Sequence, residues 1–429
     1  MIEGRSSPSE EIRGSYLPRI IDSKVSEKLS AFGGVLITGP KSCGKSWTGL
    51  NHSKSAIFLG DEDINRYASL NPQAVLAGEQ PRLVDEWQDV PKLRDVARRD
   101  IDLSNKKGMY IFTGSSTPPA ESNFHTGIGR FARLQMRTMS LFESRDSSGS
   151  VRLSRLFDTG RAEAAPSSID YPKAVNLICR GGWPGGLGLD DAAAIGISHD
   201  YIRALVSMDM SRVDGKRRSS TTTDLVLRSL ARNNATSASA STIIADIQGE
   251  GNKISEATLR SYMDVLKKLF VIEEQAAWHP SHRSRMRIRT APKRHLTDPS
   301  LAAALLEMGP QALLRDTRTA GLLFESLCYR DLSVYALASG GRVFHYRDNS
   351  GLEVDAVVQL DDGRWGAAEV KLGSFEFDKA AGNLIRMKNK MAAAGAEEPS
   401  FLMILSASGG GARTRPDGVA EVPVDCLGP

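Results

Sequence analysis

Short apolar runs separated by helical or polar stretches organise the first part of the chain. Val35-Leu36-Ile37-Thr38 is followed one helix later by Ala56-Ile57-Phe58-Leu59, then by Arg82-Leu83-Val84-Asp85 and Met109-Tyr110-Ile111-Phe112-Thr113. Such runs read as strands buried on both faces, and the interleaved helices imply a parallel sheet. Residues 144–168 are rich in Ser, Arg, Asp and Ala and read as a surface excursion or linker. Over 170–232 the pattern is helical, broken by Gly181-Gly182-Trp183-Pro184-Gly185-Gly186, which no helix crosses. A polar stretch from Asn233 to Ser241 precedes helix, turn, helix and hairpin over 242–298, with Leu259, Tyr262, Met263, Leu266 and Leu269 on one helical face. Residues 318–408 read as a last α/β segment, and the tail from Gly409 as loose.

A chain of 429 residues exceeds one ordinary core. The expected division is a tail at 1–14, a core at 15–150, a helical lid or linker at 151–232, a winged-helix segment at 233–300, an α/β domain at 301–408 and a tail at 409–429. Ile2-Glu3-Gly4-Arg5 resembles a protease-cleavage scar of the kind expression vectors leave. The apolar share of 41% and charged share of 25% suit a soluble globular protein. No apolar run approaches the roughly 18 residues of a membrane span, and no signal peptide is evident, so a cytoplasmic location is expected. Cys43, Cys179, Cys328 and Cys426 lack metal-ligand spacing, which argues for a reducing compartment and against a zinc site. A net charge of +4 is too small to define a polyanion partner by itself.

The chemistry begins at Gly39-Pro40-Lys41-Ser42-Cys43-Gly44-Lys45-Ser46, a complete G-x-x-x-x-G-K-[ST] pattern between an apolar strand and a helix start. Glycines let backbone N–H groups turn toward phosphates, and the helix N-terminus, with Trp47 following, adds favourable partial charge. Lys45 is expected to reach the β/γ-phosphates of ATP and Ser46 to ligate Mg²⁺. In Leu83-Val84-Asp85-Glu86-Trp87, Asp85 is expected to hold the magnesium shell and Glu86 to polarise the attacking water. Thr113 and Ser115, in Thr113-Gly114-Ser115-Ser116, are candidates for sensing the γ-phosphate or orienting that water. Arg130 and Arg133 are candidates for an arginine acting on a neighbouring subunit's nucleotide, which would require a homo-oligomer, a hexameric ring being expected.

At these residues the chain resembles a known family. Tyr16-Leu17-Pro18-Arg19-Ile20-Ile21-Asp22, the two nucleotide motifs, Thr113-Gly114-Ser115-Ser116 and Ser140-Leu141-Phe142-Glu143 look like AAA+-type ATPases with a C-terminal DUF4143 region. Gly181-Gly182-Trp183-Pro184 and Lys293-Arg294-His295-Leu296-Thr297-Asp298 follow in the same order. The resemblance covers roughly residues 15–405. It implies an α/β fold with an AAA+-like parallel sheet and helical lid, a winged helix and a C-terminal restriction-endonuclease-like domain, and leaves the substrate open.

Two segments face DNA in this reading. The helix from Ser255 carries Arg260, Lys267 and Lys268 away from its apolar stripe, as a recognition helix would. In Arg283-Ser284-Arg285-Met286-Arg287-Ile288-Arg289 a strand period of two puts Arg283, Arg285, Arg287 and Arg289 on one face, and no acidic residue occurs between Gln275 and Thr297. That pattern suits a wing along phosphates; the alternative is a solvated face or a basic protein interface. Further on, Glu325, Asp355, Glu369 and Lys371 follow the helix-Glu, strand-Asp, hairpin, strand-Glu-x-Lys order of PD-(D/E)xK nucleases, with Val354 in place of the motif's proline. Asp355 and Glu369 would hold Mg²⁺ and Lys371 would orient a water. An inactive DNA-binding remnant remains open beside an active nuclease.

The expectation is therefore a Mg-dependent ATPase coupled to DNA, with branched or Holliday-junction DNA an extension by analogy alone. The alternatives are a slow nucleotide switch binding a protein partner or operator DNA, and an ATP-regulated endonuclease.

Overall fold

In the computed structural model, residues 16–116, 129–207, 215–280 and 290–429 are described. The chain divides into two compact units. One comprises Met1–Arg137, Asp209–Arg217 and Val265–Val271, and the other Thr138–Met208, Arg218–Asp264 and Ile272–Pro429.

The first unit runs α1 (Asp22–Ala31), β1 (Gly34–Thr38), α2 (Lys45–Asn51), β2 (Ser55–Phe58), α3 (Glu62–Leu70), α4 (Pro72–Leu76), β3 (Arg82–Asp85), α5 (Lys92–Ser104), β4 (Tyr110–Gly114) and β5 (Phe131–Gln135). The four apolar runs are four of its five strands. They form one parallel sheet in the order β2-β3-β4-β1-β5, so β1 lies between β4 and β5 with its C-terminal end feeding the glycine loop. Leu36, Val84, Trp87, Leu93, Phe112 and Phe131 fill one face, which is why those runs lack polar alternation. The fifth strand carries Arg133, which is exposed, and follows directly on Arg130.

The second unit begins with β6 (Val151–Arg152), α6 (Leu153–Thr159), α7 (Tyr171–Arg180), α8 (Asp191–Ser207), α9 (Ser220–Arg232), α10 (Ala240–Gly249) and α11 (Glu256–Lys268), the last turn of which, from Val265, is assigned to the first unit. It continues through β7 (Ile272–Gln275), β8 (Lys293–Leu296), α12 (Pro299–Leu305), α13 (Pro310–Arg315), α14 (Thr317–Ala338), β9 (Gly341–Arg347), β10 (Glu353–Leu360), β11 (Trp365–Lys371), α15 (Phe377–Ala393) and β12 (Leu402–Ser406). It closes with β13 (Arg413–Thr414), β14 (Ala420–Pro423) and β15 (Leu427–Gly428). A mixed six-stranded sheet, β13-β14-β12-β11-β10-β9, packs α15 against Trp365, Ile404 and Val357. Leu259, Tyr262, Met263, Leu266 and Leu269 are all buried, as their spacing requires.

Two expectations are corrected here. The segment from Gly409 is not loose: β14 pairs in parallel with β12 and is buried throughout, and β15 pairs with β6. Its Val419-Ala420-Glu421-Val422 run supplies an inner strand, a signal masked by the glycines before it. The 144–168 stretch is likewise more than a linker, since it contains β6 and α6 and buries Leu153, Leu156 and Phe157.

The family motifs without an assigned role meet in the interior of this unit. Asp298 accepts from Thr138 (2.7 Å), Gly182 N–H (3.0 Å), Arg330 (3.1 Å) and Ser300 (2.6 Å). Asp331, held by Arg330 (2.9 Å), accepts from Leu141 N–H (3.0 Å). Burial pushes the Asp298 carboxyl up, but the Arg330 guanidinium and the hydroxyl donors outweigh it and leave it below its ordinary range. The glycines are spatial necessities: Gly181 has φ +72°, and a Cβ on Gly182 would lie 2.1 Å from Met139 O.

Candidate functional site

The glycine loop leaves β1 at Gly39 and enters α2 at Gly44, where φ is +103°, a conformation that favours glycine. Lys45 is buried, and its Nζ donates to Pro40 O at 2.7 Å. Cys43 is buried, while Lys41, Ser42 and Trp47 are exposed. Ser46 Oγ donates to both oxygens of Asp85, at 2.8 and 3.0 Å, and Thr113 Oγ1 donates to Oδ1. This is the meeting of strand ends that the parallel order dictates, since β3 and β4 are neighbours and β1 follows. Burial pushes the Asp85 carboxyl up, opposed by the Thr113 and Ser46 hydroxyls.

Glu86 follows with φ +53°, an uncommon conformation for a residue other than glycine and one concentrated at functional sites. The turn swings its carboxylate to Ser115, whose Oγ donates at 2.9 Å, and to Gln88 Nε2. Lys45, Ser46, Asp85, Glu86, Thr113 and Ser115 are thus brought together. Gln88 was not legible as a site residue, because a lone Gln after a strand carries no spacing signal.

The two arginine candidates are not part of this group: Arg130 Nε pairs with Asp102 at 2.6 Å on the surface, and Arg133 projects from β5. Arg19, read only as part of a family pattern, proves to brace the loop, donating to Cys43 O at 2.7 Å.

Two buried side-chain atoms beside the cradle, Trp87 Nε1 and Gln88 Oε1, have no hydrogen-bond partner among the described residues. They lie within 2.9 Å of the place a Cβ on Gly114 would fill. A hydroxyl and a carboxylate together, with unpaired polar atoms alongside, fit a Mg-nucleotide, whose metal Ser46 and Asp85 would hold.

In the second unit the nuclease-like residues also converge. A register shift in β10 between Val354 and Val357 flanks Asp355, whose Oδ2 accepts from Val370 N–H at 2.9 Å. Lys371 Nζ lies 2.7 Å from Glu369 and 3.6 Å from Asp355, and Asn383 reaches Glu369 at 3.3 Å. Lys293, from β8, was not predicted here; its Nζ lies 2.6 Å from Glu325, 3.3 Å from Glu353 and 3.4 Å from Asp355. Burial, reinforced by Asp355, pushes the Glu325 carboxyl up to about 8. Asp355 is held below its ordinary range by Lys293 and Lys371 despite its burial. Among the described residues no group of three or more His, Cys, Asp or Glu side chains is disposed to hold a metal ion.

Of the DNA-facing candidates, Arg260 is exposed and pairs with Glu256 at 2.5 Å, whereas Lys267 and Lys268 are half-buried rather than on an open face. Arg283, Arg285, Arg287 and Arg289 lie outside the described residues, in the sequence between β7 and β8.

Residues 32–144 match the AAA domain family, the segment holding both nucleotide motifs and the parallel sheet. That segment is an AAA-type P-loop domain. Residues 320–423 match the DUF4143 family and 172–312 the DUF8612 family, both domains of unknown function. No curated protein matches the chain.

Among solved structures, a Walker-type ATPase of Pyrococcus abyssi is 16% identical, covering 68% of this chain and 97% of its own, with a TM-score of 0.42. The replication initiator DnaA bound to AMPPCP and single-stranded DNA is 9% identical, covering 62% of this chain and 93% of its own, with a TM-score of 0.27. Thermotoga maritima RuvB is 14% identical, covering 67% and 94%, with a TM-score of 0.27. Among the described residues no helix is long and apolar enough to cross a membrane.

Proposed function

We propose that the chain is a magnesium-dependent ATPase whose nucleotide cycle is coupled to DNA. The observation that carries the ATPase part is the shared hold of Ser46 and Thr113 on Asp85, with Glu86 set beside Ser115. In this reading Lys45 exchanges the Pro40 carbonyl for the β/γ-phosphates of ATP. Ser46 and Asp85 would hold Mg²⁺, which when bound would neutralise charge on the phosphates. Glu86 accepts the proton of the attacking water, and Ser115 and Gln88 keep its carboxylate in place.

The DNA part rests on the run between β7 and β8, which holds Arg283, Arg285, Arg287 and Arg289 and no acid from Ala276 to Leu296. Such a run suits phosphate contacts without base readout. Helix, turn, helix and paired strands over 240–296 supply the element order of a winged helix. A ring in which Arg130 or Arg133 serves the neighbouring subunit completes the reading.

The test is the Mg-dependent ATPase rate with no DNA and with single-stranded, duplex and four-way-junction DNA, Lys45→Ala serving as the blank. A rate raised by one DNA form supports the coupling and names the substrate. A rate unchanged by all of them removes DNA from the proposal and leaves a slow nucleotide switch.

A further inference from the structure

Helix α14 and the C-terminal sheet present the acidic residues of a metal-dependent nuclease core in the expected order, yet their oxygens are already taken by the chain itself. Lys293 Nζ stands among three carboxyl groups, Glu325 at 2.6 Å, Glu353 at 3.3 Å and Asp355 at 3.4 Å, and its side chain is 4% exposed. The other side of Asp355 is occupied by Val370 N–H at 2.9 Å and Lys371 Nζ at 3.6 Å. Glu369 is taken by Lys371 at 2.7 Å and Asn383 at 3.3 Å.

A divalent cation bridging Asp355 would have to share this space with two ammonium groups, and cations at contact distance repel strongly where water is excluded. The lysine that causes the conflict is built in. Lys293 opens β8, whose pairing with β7 in register Gln275↔Lys293 sets its position. Gln275 itself donates to Phe344 O at 3.0 Å and to Asp355 O at 2.8 Å. The strand that delivers the ammonium is therefore hydrogen-bonded through its partner to the strand that carries Asp355.

We infer that Lys293 is the resident cation of this carboxylate cluster, standing where a nuclease would hold its metal, so that the domain does not cut DNA. The residues do not fit the expected Mg²⁺, and the cluster serves instead to join β8, α14, β10 and β11. This inference is independent of the DNA coupling proposed above.

The test is Mn²⁺ binding to the full chain without nucleotide, followed by electron paramagnetic resonance, in an Asp85→Asn background that silences the ATP site. The protein with Lys293 is expected to show no Asp355-dependent site. Lys293→Met is expected to gain one, binding Mn²⁺ at least about tenfold more tightly, the scale on which groups around a metal alter its affinity. Asp355→Asn in the Lys293→Met chain should abolish that gain. Because Lys293→Met strands buried carboxyl groups and can impair folding, Lys293→Met with Glu325→Gln provides a charge-balanced second variant. Asp355-dependent Mn²⁺ binding or DNA cutting by the protein with Lys293 overturns the inference. So does failure of both Lys293 variants, folded by circular dichroism, to gain a site.

Discussion

Arg19 holds the phosphate loop by its backbone: Nη1 donates to Cys43 O at 2.7 Å, and Nη2 donates to Arg137 O at 2.9 Å. Its own position is set by Asp22, whose carboxylate accepts from Arg19 N–H at 2.7 Å and from Tyr16 OH at 2.7 Å. Tyr16 in turn lies 3.0 Å from Thr48 Oγ1 on α2. The Tyr16-to-Asp22 pattern thus supports the loop at Cys43 and the helix that follows it at Thr48, and contains none of the residues expected to touch nucleotide.

Arg19→Ala is expected to weaken ATP binding with a smaller effect on kcat, because the loop loses its brace while the chemical groups remain. A buried hydrogen bond from a charged group is worth about 1.5–3 kcal/mol. Isothermal titration with a non-hydrolysable ATP analogue should show a correspondingly weaker Kd. Arg19→Lys should recover part of it, and an unchanged Kd would show the contact to be incidental.

Glu86→Gln is expected to keep ATP binding and lower kcat by about 10²–10⁴-fold, the range for losing a positioned base. Ser115→Ala should lower kcat less, since Gln88 still holds the Glu86 carboxylate. Nucleotide Kd and steady-state kcat measured together separate these outcomes from a binding defect.

Arg130 and Asp102 form an exposed pair, and such pairs are worth roughly 0–1 kcal/mol, so Arg130 can leave Asp102 cheaply. If it acts in trans, Arg130→Ala and Lys45→Ala should each be inactive alone, and mixing them should restore part of the rate. Full activity of Arg130→Ala would pass the role to Arg133, to be examined by the same mixing experiment.

Arg330→Met leaves Asp298 and Asp331 as buried carboxylates without their cation. The expected loss is about 3–5 kcal/mol of stability, read by urea unfolding of the second unit's transition. A change within experimental error would mean that the hydroxyl and N–H donors to Asp298 suffice.

His345 is fully buried, and burial depresses its pKa from 6.5 to about 4. Its Nε2 lies 3.2 Å from Ala291 O. A base with a depressed folded pKa binds fewer protons folded than unfolded, so its stability contribution is present above 6.5 and lost as pH falls through about 4. Unfolding midpoints should therefore drop across that window, and His345→Gln should flatten the slope.

Much of the candidate nucleotide site is legible in the sequence because its signals are local. A glycine at φ +103°, a lysine and a hydroxyl must follow one another along the chain, and a strand ending in Asp85-Glu86 announces itself by its apolar run. The winding of four such strands with helices between them likewise predicts a parallel sheet. Arg133 shows the limit: a short strand with an arginine at its centre, as in β5, has a weak periodic pattern.

The sequence by its local signals marked the glycine loop, the Asp85-Glu86 pair at the end of β3 and much of the order of elements, since periodicity and turn chemistry act over a few residues. Only the tertiary structure decided which distant groups meet. Lys293 reaches Glu325 and Asp355 across 32 and 62 residues of chain, and Thr138 reaches Asp298 across 160. Such contacts are selected by burial, where a charge must find a partner or leave the interior, and no spacing rule along the chain records which partner that will be.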